Sequence, residues 1–151
     1  MPHLQTRVAF LPFGPKLLKS LKPVTFDRSL PTLGDHLKKR RHELGLFQRE
    51  VADRLDVDTW TYLLWEQNNT RPGIHSWPKV ISFLQYDPNP APVTLGDQIL
   101  SYRRKSGIPR SVLAKRLGVD ENTVWRWEAS YRSPPPNIMI QLRNLGEINH
   151  P

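Results

Sequence analysis

The sequence predicts an all-α protein built from two tandem copies of one small helical unit, preceded by an extended arm. Three observations carry this expectation. A stretch of 41 residues recurs 62 positions downstream, without a gap and with 15 identities. Self-similarity at one fixed offset marks a duplicated structural unit. Within each copy, apolar residues return at spacings of three and four, the period of a helix face. Length agrees, because 151 residues allow one ordinary domain or two very small ones.

In chain order, residues 1–31 come first. They are rich in proline, and Arg7, Lys16, Lys19, Lys22 and Arg28 stand against the single acid Asp27. No helical or strand period persists there, which predicts an arm. Residues 32–87 form the first unit. Asp87-Pro88-Asn89-Pro90-Ala91-Pro92 reads as a stiff, extended linker centred on 88–92. Residues 93–148 form the second unit.

Each unit reads as four to five short helices. In the first, Leu33, Leu37 and Leu44 make an apolar stripe that stops at Gly45. Val51, Ala52 and Leu55 follow on a second helix. A tight turn at Asp56-Val57 matches Gly118-Val119 in the other copy. Glycine accepts positive φ freely and Asp accepts it better than most residues, so one turn has two solutions. Asp58 and Asp120 are suitable N-caps for a third helix. It buries Tyr62 and Trp65 in one copy, Val124 and Trp127 in the other. A fourth helix carries Val80, Ile81 and Leu84, or Ile138, Met139 and Leu142. Pro78 and Pro136 sit near its start, where proline is tolerated.

Composition narrows the function classes. Lys plus Arg is 22 and Asp plus Glu is 14, a formal net charge of +8, which favours association with polyanions. The chain has 0 cysteines, so disulfides, Cys-based zinc sites and thiol catalysis are excluded. That suits a reducing cytoplasm. No apolar run reaches the roughly 18 residues that span a bilayer. Val8-Ala9-Phe10-Leu11 is broken at once by Pro12, so no secretory core is expected. His3, His36, His42, His75 and His150 are scattered without ligand spacing. Asp53, Asp56 and Asp58 lack the glycine and distal Glu of a calcium loop. With no phosphate loop and no nucleophile motif, neither an enzyme nor a metal or cofactor site is expected.

Two helices joined by a short turn, the second capped by a small polar residue, make a helix-turn-helix. The segments LGDHLKKRRHELGLFQREVADRLDVDTWTYLLWE and LGDQILSYRRKSGIPRSVLAKRLGVDENTVWRWE strongly resemble the phage repressor/Cro type, the Xre family. A basic first helix, Leu-Gly-Leu or Ser-Gly-Ile, Gln48-x-x-Val-Ala, the Asp/Gly-Val turn and the closing Trp-Glu carry the likeness. It spans roughly residues 32–148 and is silent on the arm.

The resemblance implies double-stranded DNA as partner and transcriptional regulation as role, with the helices near 58–66 and 120–128 in the major groove. It places Glu121, Asn122 and Arg126 at base edges. Their chemistry suits cytosine N4, adenine N6/N7 and guanine O6/N7 respectively. The first-unit equivalents are Thr59, Trp60 and Leu64. Here the pattern departs, because Trp and Leu offer only apolar contact. Gln48, Arg110, Arg71 and Arg132 take positions that meet backbone phosphate. Arg41 with Glu66, and Arg103 with Glu128, are implied to form buried salt bridges.

Two other readings compete. Trp60, Leu63 and Leu64 make the first unit's third helix unusually apolar, as a dimer or protein-partner contact would. Charge leans the same way: residues 32–72 hold seven basic and seven acidic side chains, residues 94–136 eight and four. An RNA or single-strand binder would instead show aromatics on a platform such as a sheet.

Overall fold

A computed structural model describes residues 29–145. The arm expected over 1–31 therefore lies outside the described residues, except for its last three, as do residues 146–148. Among the described residues every regular element is helical. The α-helices are α1 (Leu33–Glu43), α2 (Gln48–Leu55), α3 (Thr59–Glu66), α4 (Trp77–Leu84), α5 (Leu95–Ser106), α6 (Arg110–Leu117), α7 (Glu121–Glu128) and α8 (Pro136–Asn144). One 3-10 turn at Ile74–Ser76 leads into α4. None of these helices is long and apolar enough to cross a membrane.

Short polar side chains start four of the helices, α1, α3, α5 and α7. The Thr32 hydroxyl accepts from the Asp35 N–H. Thr94 and Asp97 cap each other's N–H groups reciprocally, a capping box. Asp58 accepts from the Thr61 N–H at 2.9 Å and Asp120 from the Asn122 N–H at 2.8 Å. α5 is capped by Gly107 at φ +67°, while α1 is capped by Leu44, one residue before Gly45 at φ +64°.

The turn between α2 and α3 hinges on Asp56 at φ +56°, and that between α6 and α7 on Gly118 at φ +67°. In each, the next residue's N–H bonds back five positions: Val57 to the Ala52 carbonyl and Val119 to that of Ala114, both at 3.0 Å. Backbone geometry is thus shared, although one turn uses a side-chain-bearing residue.

Two buried clusters form. Leu37, Val51, Ala52, Leu55, Tyr62, Trp65, Trp77, Val80 and Leu84 make the first. Ile99, Tyr102, Leu113, Ala114, Leu117, Val124, Trp127, Ile138 and Leu142 make the second. In each half the third helix is the hub, packed by the two helices before it. The first of these approaches very closely. A Cβ on Gly96 would stand 2.5 Å from the Glu128 carbonyl oxygen, and one on Gly34 would strike that of Glu66. The repeated glycine thus lets one helix run against another's C-terminal carbonyls.

The halves also touch. α4 packs on α5, the Arg104 guanidinium lies 5.4 Å from the Trp77 ring centroid, and Gly107 abuts Pro78.

Candidate nucleic-acid interface

Each third helix ends on a buried carboxylate that fixes its orientation. Arg41 grips Glu66 with two donors, Nε to Oε1 at 2.6 Å and Nη2 to Oε2 at 3.2 Å. Arg103 grips Glu128 in the same way, at 2.5 Å and 3.2 Å. Both carboxylate side chains are only 4% exposed. Each arginine also donates Nη1 to a loop carbonyl, Leu46 or Ile108. The first helix, the loop after it and the end of the third helix are thereby tied to one guanidinium.

The remaining lone pairs are satisfied differently. Glu66 accepts from the Tyr62 hydroxyl at 2.6 Å and from Gln48 Nε2 at 2.9 Å. Burial alone would raise the Glu66 carboxyl, but hydrogen bonds from Arg41, Tyr62 and Gln48 outweigh it and hold the group below its ordinary value. Burial, then the Glu66 charge and bond, push the Tyr62 phenol up. Glu128 instead accepts from Arg110 Nε at 2.6 Å, and Val124 replaces the tyrosine. The second half therefore sets two guanidinium charges against one carboxylate. Arg110 keeps 38% of its side chain exposed.

Gln48 and Arg110, expected at phosphate, thus have their bonds directed inward to Glu66 and Glu128. Sequence reasoning placed Tyr62 in the core but missed its bond to Glu66, although a spacing of four puts both on one helix face. It also missed Asn68, whose side-chain oxygen accepts from the Gly34 N–H at 3.0 Å.

Ahead of each carboxylate the third helix turns its first residues to solvent. Thr59, Trp60, Glu121, Asn122 and Arg126 are all exposed, Trp60 by 65%. The apolar patch expected at Trp60, Leu63 and Leu64 is smaller than anticipated, because Leu63 and Leu64 are half-buried. They flank Tyr62 and Trp65, so at about 100° per residue they fall at the edge of the core face. Phe47, at the start of α2, is 77% exposed and was not anticipated. In the second half Trp125 and Tyr131 are exposed and their rings lie 5.5 Å apart. Arg71 and Arg132 are exposed beyond the third helices.

Of the scattered histidines, His42 and His75 are exposed. His36 is buried, its Nδ1 2.8 Å from the Tyr86 hydroxyl. His3 and His150 lie outside the described residues. Among those residues no three His, Asp or Glu side chains converge as a metal site requires. No family model matches the chain, and neither a curated protein nor a solved structure matches it.

Proposed function

We propose that the chain binds double-stranded DNA as a transcriptional regulator of the phage repressor/Cro kind, with α2–α3 and α6–α7 as two helix-turn-helix motifs in tandem. One observation carries the reading. The same arrangement occurs twice: a helix, a left-handed turn residue, an Asp-capped second helix, and a solvent-facing first turn on that helix. Such a helix can enter the major groove, where Asn122 and Arg126 offer bidentate contacts to adenine and guanine. Arg71, Arg132 and the outer part of Arg110 supply positive charge for phosphate. The role is binding without catalysis, in the cytoplasm where the target duplex lies.

A second reading concerns the first half alone. Exposed Trp60 and Phe47 favour a protein contact there, with a second copy or another chain.

Titrating the chain with genomic duplex fragments at several salt concentrations tests the main reading. If about six phosphates are neutralised, log affinity falls against log salt with a slope near −5. A flat salt response, or no retention on any duplex at low salt, rejects it.

A further inference from the structure

A cleft of about 520 Å³ opens where the two halves meet. The Asn68–Pro72 loop, Trp77, the linker at Asn89 and Arg104 of α5 line it. Its volume lies within the roughly 300–1,000 Å³ typical of ligand sites. Two guanidiniums face this space, Arg71 from the first half and Arg104 from the second.

Neither has a carboxylate within ion-pair distance among the described residues. Burial holds the Arg104 guanidinium below its ordinary value. Of the charges around it, Asp87 and Glu128 oppose the shift, while Arg103 and Arg71 add to it. Asp87 is itself engaged, accepting from both the backbone N–H and the side-chain amide of Asn89. The Asn68 side-chain oxygen is occupied by Gly34, which leaves its NH₂ as a neutral donor at the cleft wall. A partly desolvated guanidinium repelled by a second, exposed one, beside a neutral donor, makes a site that gains from an anion.

We propose that this cleft binds a phosphate group, held by Arg71 and Arg104 together. Arginine's planar fork matches phosphate oxygens in a two-point contact. Because the two arginines come from different halves, the bound phosphate bridges them and fixes the separation of α3 and α7. The group can belong to a free phosphorylated molecule or to the backbone of a bound duplex.

The test uses the full chain with pyrophosphate as probe, ionic strength held constant with sodium chloride. A saturable rise in melting temperature is expected. Arg71→Gln and Arg104→Met raise the half-saturating concentration roughly tenfold or more, and the exposed Lys115→Gln leaves it unchanged. Met retains an apolar stem over Trp77, and the exposed Arg71 can be replaced without disturbing the core. That result assigns the cleft to a free phosphorylated ligand. The second arm measures duplex DNA affinity against salt. If pyrophosphate has no saturable effect, but each arginine variant lowers the salt slope by about one and Lys115→Gln does not, the phosphate is the duplex's own. No saturable pyrophosphate effect together with unchanged DNA slopes overturns the proposal. The first arm contains no DNA, so it stands if the DNA reading fails.

Discussion

Glu66 and Glu128 occupy equivalent places but are held by different chemistry. Arg41 and Arg103 were legible from sequence, because charged pairs 25 residues apart recur in both copies and the family resemblance implied that they pair with these carboxylates. The other donors were not. Tyr62 and Gln48 complete one carboxylate's shell while Arg110 completes the other's, so no repeated residue points to them. Glu66→Ala leaves a largely buried guanidinium unpaired and is expected to cost about 3–5 kcal/mol. Tyr62→Phe removes one bond to a charged acceptor, about 1.5–3 kcal/mol. Urea unfolding of both variants checks the order. Loss of DNA binding by Glu66→Ala with an unchanged melting temperature contradicts a structural role. A pH effect follows as well. Glu66 lies below its ordinary value of 4.5 in the folded chain. Its contribution is therefore present above about pH 4.5 and is lost as pH falls through the lower folded value. Glu66→Gln should flatten stability against pH in that acid range.

At the scale of elements, two glycine positions separate two physical causes. Gly118 has φ +67° and open space around it. Gly118→Ala should cost about 1–2 kcal/mol through left-handed backbone strain alone. Gly118→Asp, the solution used at position 56, should cost less. Gly96 lies inside α5, where Gly→Ala would ordinarily stabilise by about 0.5–1 kcal/mol. The closing Glu128 carbonyl reverses that sign. Gly96→Ala should destabilise by about 1–3 kcal/mol as the helices are forced apart. Thermal unfolding of the three variants decides, and stabilisation by Gly96→Ala would show that the close approach is not required. The left-handed turn was readable from Asp56 and Gly118, since φ is a local property. The reason for Gly34 and Gly96 was not readable, since it lies in a carbonyl 32 residues away.

At the scale of the whole molecule, the two halves present different side chains to solvent. α7 presents Glu121, Asn122 and Arg126 to solvent, while α3 presents Thr59 and Trp60. On the DNA reading, sequence choice resides in the second half, and the short linker gives the first half a high effective concentration on the same duplex. Arg126→Ala should cost about 1–3 kcal/mol on the preferred site and relax preference at one base pair. Trp60→Ala should lower affinity evenly across sequences, or change the oligomeric state. Selection from a random duplex library reads both. A motif that shifts with Trp60→Ala, yet survives replacement of Glu121, Asn122 and Arg126 together, would place the reader in the first half.

The sequence by itself determined the helical class, the repeat, the core positions Val51, Leu55, Trp65 and Trp127, the Asp caps and the left-handed turns. These depend on period, cap chemistry and φ, all set within a few residues. Only the tertiary structure decided that Gln48 and Arg110 turn inward, that Leu63 and Leu64 are half-covered, and that Arg71 and Arg104 face one cleft. Those outcomes depend on which distant groups the packed helices bring within hydrogen-bond reach. A repeat can show that a position matters in both copies, but not what lies opposite it when the chain closes.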